Sequence, residues 1–332
     1  MVWYALATYR QGAGTATALV FDDKLYDFAT ACNAVSGTPP SWATAELGGL
    51  IARWPEVQVG IESVAQAAAL LAGAGKLKPL PAGTALAAPL RPGRIYCAAA
   101  NYVEHAKEMS TALASKTNSR PYFFQKPSTT VIGPEEVVRK PEETAKLDWE
   151  VELAVVIGKR AKDVPLAQAL DYIAGYTVAN DISARDLNKR TDYPFAFDWF
   201  QGKCWDTFCP LGPWIVTPDE IPDPHDLKME LRVNGEVRQE SHSGNMSVTI
   251  GQILSNFSGL TYSAGDVLST GTVSGVAGFK SPEERARLYL KPGDVIEAEI
   301  ERIGVLRNPV ISWQEGHGTP PLPRIRPWGE GV

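Results

Sequence analysis

The chain has 332 residues, of which 44% are hydrophobic and 21% charged, with a formal net charge of -6. That is ordinary globular composition, long enough to bury one large domain or a large and a small one, and it excludes wholesale disorder. With an acidic balance and no dense Lys/Arg block, no nucleic-acid partner is expected; small molecules or a second copy of the chain are the partners to look for.

The opening stretch MVWYALATYRQGAGTATALVF lacks the basic flank and long apolar core of a secretory signal. No window reaches the roughly 18 apolar residues that span a membrane, so a soluble cytoplasmic protein without a membrane partner is expected. Residues 2 to 30 alternate apolar and polar side chains around the turn signals RQGAG and FDDK, which reads as a small β meander. VSGTPPSW is a loop, and residues 44 to 75 carry helical spacing up to a Gly-rich stop. The Pro- and Ala-rich run that follows reads as a linker, placing a small α+β domain at residues 1–85 and the main domain at 92–320.

IYCAAANY opens the main domain as a strand, and strands dominate from there on. PLAQALDYIAGY reads as a short amphipathic helix, and LRVNGEVRQ as a hairpin turning at Asn234-Gly235. SPEERARLYL reads as a helix with Ser281 at the N-cap and Pro282 in its first turn. The tail EGHGTPPLPRIRPWGEGV is Pro-rich and expected to lie extended. Cys32, Cys97, Cys204 and Cys209 are irregularly spaced with no CxxC pair, which favours reduced thiols over disulfides or zinc. The two Asn-x-Ser matches, at Asn245 and Asn256, are chance matches in a protein that is not secreted.

LDWEVELAVVIGK carries the most informative pattern. Leu153 to Ile157 form the unbroken apolar run of a buried strand, yet Glu150 and Glu152 stand in front of it. Side chains two apart on a strand share a face, so the two carboxylates lie side by side while Trp149, Val151 and Leu153 take the other face. Such a pair is either a solvated strand edge or a cation site. A third acid, Asp181, follows the strand Tyr176 to Ala179, and three carboxylates at strand ends suit Mg²⁺, Mn²⁺ or Ca²⁺ and not zinc or copper.

NYVEHAKEM, PYFFQKPSTTVIGP, LDWEVELAVVIGK, NDISARDLN, GKCWDTFCPLGPW, VNGEVRQ and GDVLSTGTVSGV occur in the order seen in the fumarylacetoacetate hydrolase family, across about residues 92 to 312. The chain resembles that family, in particular its bacterial members with three metal carboxylates and a small N-terminal domain. The resemblance implies a mostly β, α+β fold, a mixed β-sheet roll with few helices behind a small α+β domain, and a homodimer. It implies that Glu150, Glu152 and Asp181 hold Mg²⁺ or Mn²⁺, with Ca²⁺ as a substitute. It also implies that His105 and Glu108 are a catalytic pair on one face of a lid helix, and that Lys203 stabilises an enolate or oxyanion. A plain salt bridge to the acids is the other role open to Lys203. Lys126, Arg185 and Thr272 match positions that contact the ligand carboxylate, with Arg185 alternatively bracing the metal carboxylates. His225, His242 and His317 match nothing in the pattern.

The sequence also departs from the family. Asn101 stands where the founding members carry a further acidic ligand, which points toward smaller 2-oxo acids. The stretch DYPFAFDWFQGKCW is unusual, and Tyr193, Phe195, Phe197 and Trp199 are candidates for an apolar pocket wall, packing or a dimer contact. The expected reaction is metal-dependent C–C hydrolysis of a 2,4-dioxo acid such as an acylpyruvate or fumarylpyruvate, releasing pyruvate and a carboxylic acid. Decarboxylation, hydration or dehydration, and tautomerisation of a 2-oxo acid use the same enolate-holding site, and a non-catalytic metal or ligand binder is the rival outside enzymology.

Overall fold

The computed structural model describes residues 2–109, 122–191 and 194–315. The chain starts with the meander β1 (Ala5–Gln11), β2 (Gly14–Phe21) and β3 (Lys24–Asp27). Three helices follow: α1 (Phe28–Ser36), α2 (Leu47–Ala52) and α3 (Trp54–Gly73). The α3 stripe Trp54, Val57, Ile61, Val64, Ala65 and Ala68 has helical spacing and is buried, with a proline in the first turn. The sequence pattern does not announce α1, which Asp27 caps by accepting from the Thr30 N–H.

Next come β4 (Leu86–Ala87), β5 (Ile95–Ala99), α4 (Val103–Glu108), β6 (Tyr122–Lys126), β7 (Val131–Ile132) and β8 (Val138–Lys140). The central strands are β9 (Leu147–Asp148), β10 (Val151–Ile157), β11 (Ile173–Asn180) and β12 (Ser183–Ala184), followed by α5 (Trp199–Lys203) and β13 (Cys209–Val216). The chain closes with β14 (Lys228–Val233), β15 (Glu236–His242), α6 (Ile250–Phe257), β16 (Val267–Thr272), α7 (Pro282–Leu288), β17 (Val295–Ile300) and β18 (Gly304–Ser312).

The large sheet runs β3-β2-β1-β13-β11-β10-β16-β5-β6, with β4 on β1 and β7 on β13; a second sheet runs β15-β14-β17-β18-β8, and β12 pairs with β9. The fold is therefore mixed and dominated by sheet, as the resemblance implies. Strand pairing crosses from the N-terminal segment into the rest of the molecule, because Ala5 and Leu6 of β1 oppose Val216 and Ile215 of β13. One apolar core does the same, joining Phe28, Leu50, Trp54 and Ile61 to Ala154, Val156, Ala174 and Ile215.

Strand β10 shows why its sequence is apolar on both parities. Val151, Leu153, Val155 and Ile157 enter one core, whereas Ala154 and Val156 enter the other. Burying each of the larger side chains contributes about 1.5–3 kcal/mol, which makes β10 a stiff support for what stands at its start.

Two local expectations meet the structure differently. The hairpin turns at Asn234 and Gly235 with φ of 53° and 79°, the conformation of a type I′ turn. Ser281 caps α7 in a reciprocal capping box with Glu284. PLAQALDYIAGY, by contrast, is not an α-helix through its length: Leu166–Tyr172 form a 3₁₀ segment and Ile173 already belongs to β11. The reason is that Ile173, Tyr176 and Val178 are claimed by the buried centre of the sheet. Among the described residues no helix is long and apolar enough to cross a membrane. From Gly316 onward the Pro-rich tail, His317 included, lies outside the described residues.

Candidate active site

The antiparallel register of β10 and β11 sets Val151 opposite Asn180, so Glu150 and Asp181 meet at the same end of the sheet. The Asp181 N–H donates to the Glu150 carbonyl (2.9 Å), and the Glu150 N–H donates to the Asn180 side chain (2.9 Å). Glu152, in register with Thr272 of β16, completes the group. All three acids are buried, and each offers one oxygen, these lying within 4.8 Å of one another.

Lys203, at the end of α5, bridges two of them, with Nζ 2.8 Å from Glu150 Oε2 and 2.6 Å from Asp181 Oδ2. The helix reaches that depth because residue 202 is glycine: a Cβ there would stand 1.5 Å from Asn188 Oδ1. Arg185 Nη2 makes a 2.7 Å ion-pair contact with Glu150 Oε1. Lys126 lies behind Asp181 and off the cavity lining, donating to that carboxylate and, at 2.9 Å, to the Phe208 carbonyl. Burial works against its ammonium, and Asp181 outweighs burial and keeps it charged.

The acids respond oppositely to this environment. Burial favours the neutral form of Glu150, but Lys203 and then Arg185 overcome it and hold its carboxyl down at about 2. Glu152 is pushed up to about 8 by burial, then by Asp181 and Glu150, against the pull of the Ser269 hydroxyl that donates to it. One carboxylate of the three thus lacks sufficient positive charge. An all-oxygen donor set with an uncompensated buried acid fits a hard divalent cation.

The opposite wall is α4. His105 is 5% exposed, and its Nδ1 is 3.3 Å from Glu108 Oε2. The Gly275 N–H donates to Glu108 Oε1 at 2.9 Å, and Phe279 packs edge-on against the imidazole with centroids 5.5 Å apart. Between these walls is a cavity of about 40 Å³. His105, Glu150, Glu152, Asp181, Lys203, Arg185 and Thr272 provide its polar lining, and Phe124, Trp199 and Phe279 its larger apolar surfaces. Thr272 itself donates to the Val151 carbonyl (2.9 Å).

Of the aromatic stretch, Trp199 lines the cavity, while Phe195 and Phe197 are 72% and 61% exposed and lie outside its lining; Tyr193 falls outside the described residues. Asn101 is a bracket. Its amide donates to the Val248 and Thr270 carbonyls (3.0 and 2.9 Å) and accepts from the Val248 N–H (3.0 Å). Sequence reasoning passed over Asp148, a fully buried acid two residues ahead of Glu150, although the i, i+2 rule that paired Glu150 with Glu152 extends back to it.

The family described as fumarylacetoacetate (FAA) hydrolase C-terminal matches residues 94–311. A mitochondrial oxaloacetate tautomerase of Homo sapiens is 41% identical over 229 residues, 69% of each chain. Among solved structures, the fumarylacetoacetate hydrolase of Exiguobacterium antarcticum superposes with a TM-score of 0.72 at 31% identity, covering 93% of this chain and 99% of that one. The maleylpyruvate hydrolase of a Sphingobium species, solved with manganese(II) and pyruvate, gives 0.69 at 28% identity, covering 93% and 100%. The matched span, the relatives and the shared fold together establish that this chain is an enzyme of the fumarylacetoacetate hydrolase family.

Proposed function

We propose that the protein catalyses keto–enol exchange of a small 2-oxo diacid of the oxaloacetate type, with Mg²⁺ or Mn²⁺ held by Glu150, Glu152 and Asp181. The observation that carries this reading is the constellation around the cavity: three acids and Lys203 on one wall, and on the other His105, oriented by Glu108. The similarity to oxaloacetate tautomerases supports the same choice. When bound, a divalent ion supplies Lewis-acid charge for the substrate's carboxylate and 2-oxo oxygens.

The protein's own groups account for the proton movement. His105 takes a proton from the carbon beside the 2-oxo group, and Glu108 orients the imidazole that receives it. As negative charge moves onto the 2-oxo oxygen, the Lys203 ammonium balances it in a site largely cleared of water. Return of the proton to carbon or to oxygen completes the exchange. Trp199 and Phe279 keep bulk water from the exposed face of the substrate.

The second reading is hydrolysis of a 2,4-dioxo acid to pyruvate and a carboxylic acid, in which His105 instead takes a proton from an attacking water. The likeness to the maleylpyruvate hydrolase structure favours it. A homodimer belongs to either reading and is tested by light scattering.

The deciding experiment presents metal-loaded protein with the enol form of oxaloacetate, following its loss by ultraviolet absorbance, and in parallel with acetylpyruvate and fumarylpyruvate, following pyruvate. Accelerated exchange that disappears in His105→Ala supports the tautomerase reading. Pyruvate release without oxaloacetate exchange would move the protein to the hydrolases, and silence on every substrate would refute both.

A further inference from the structure

Asp148 is fully buried, and its carboxylate takes four donors. They are the backbone N–H groups of Trp149 (2.9 Å), Ala277 (2.9 Å) and Gly278 (2.8 Å), and Nε of Arg185 (2.8 Å). A carboxylate removed from water needs such partners, but the places they lead to matter more than their number. Arg185 continues to Glu150, on the wall of acids. Ala277 and Gly278 belong to the turn between β16 and α7, which on its other side gives the Gly275 N–H to Glu108 and sets Phe279 against His105. Arg185 closes the circuit, its guanidinium carbon 5.6 Å from the centroid of the Phe279 ring.

A core ion pair would need only Arg185. Of the three backbone donors, two come from the turn that supports the opposite wall of the cavity, so one carboxylate is bound to the supports of both walls.

We propose that Asp148 is a positioning residue: by gripping Arg185 and the 277–278 turn at a single point, it sets the distance and orientation of the His105–Glu108 pair relative to Glu150 and the other acids. The proposal rests on the reading of this cavity as the reaction site. Proton transfer and ligand geometry tolerate about 0.5 Å of error, which a grip made of buried, charge-assisted hydrogen bonds can hold.

The test begins with Asp148→Asn. The amide's NH₂ group replaces either the oxygen that accepts from Trp149 and Ala277 or the one that accepts from Gly278 and Arg185, so a turn N–H is released in either orientation. Calorimetric titration of the metal-free variant with Mn²⁺ should show a dissociation constant raised about 10- to 100-fold, the usual scale for loss of a partner just outside the ligand set. Hydrogen exchange should quicken both in the 275–279 turn and in α4, with the amides of β14 and β17 unchanged. Gly278→Ala applies the perturbation without removing a charge, since a Cβ there would stand 3.1 Å from Arg185 Nε and 3.2 Å from Asp148 Oδ2. It should shift both readouts in the same direction by less.

Unchanged metal affinity in folded Asp148→Asn would overturn the proposal. So would weakened metal binding with α4 and the turn exchanging as before, because the two walls would then be independent. If Asp148→Asn does not fold, the same criteria apply to Gly278→Ala. Neither readout depends on turnover, so absence of activity toward any 2-oxo acid would remove the functional reading and leave this test intact.

Discussion

Replacing Lys203 by methionine separates the two roles that its position allows. Lys203 is 1% exposed, and its ammonium lies 2.8 Å from Glu150 and 2.6 Å from Asp181. Methionine fills similar space without the charge, leaving Glu150 with Arg185 alone and Asp181 with Lys126 alone. Removing one partner of a buried pair destabilises by about 3–5 kcal/mol, which corresponds to a fall in Tm of roughly 4–7 °C for a chain of this size. A divalent ion among the same acids restores positive charge, so the loss measured in EDTA should shrink in saturating Mn²⁺. Activity should behave differently. If Lys203 balances charge that develops on the substrate, the ion does not replace it, and kcat of the Mn²⁺-saturated variant should fall about 10²- to 10³-fold. Paired thermal melts and initial rates, each with EDTA or Mn²⁺, provide the assay. Wild-type kcat in the metal-saturated variant would refute the catalytic role and leave Lys203 as a neutralising salt bridge.

Three other outcomes follow from named contacts. Glu152 is raised to about 8 in the metal-free protein against an ordinary 4.5, so its contribution to stability is complete below about 4.5 and is lost as pH rises through about 8. Because the ion must displace that proton, Mn²⁺ affinity should rise about tenfold per pH unit up to about pH 8, and a flat profile in calorimetric titrations would contradict the assignment. Leu153→Ala opens a hole in a core with no exposed side and should cost about 2–5 kcal/mol in denaturant unfolding; a smaller loss would mean the strand is not the rigid support described. Burial pushes the Cys32 thiol up to about 11, Cys209 up to about 12 and Cys97 well above the ordinary thiol range, so these should resist alkylation at neutral pH in the native protein and react once it unfolds, as mass spectrometry of labelled peptides would show.

The parts of the site that a reader of the sequence could place are those governed by local geometry. Two-residue alternation puts Glu150 and Glu152 on one face and Trp149, Val151 and Leu153 on the other, and the apolar run after them identifies a strand buried on both sides. The Asn234-Gly235 turn and the capping box of Ser281 and Glu284 are equally local, since each involves residues within three positions of one another. Family resemblance then brought His105, Glu108 and Lys203 into the same picture.

Periodicity assigns a side chain to a face but cannot say what meets it there, and at that point tertiary structure decided. Two lysines, Lys126 and Lys203, were both candidates for the pocket; the approach of β6 and α5 to Asp181 from different sides put one behind the carboxylate and the other on the lining. In the aromatic stretch, only the placement of α5 separates Trp199, on the cavity, from Phe195 and Phe197, in solvent. The 3₁₀ segment ahead of β11 is shortened because the central sheet claims Ile173. Asp148 is the clearest case, since its partners Ala277 and Gly278 lie 129 and 130 residues away in the chain. Local chemistry in the sequence determined which groups stand at the head of β10. Long-range packing, which brings chain-distant turns against that strand, determined which of them share a cavity.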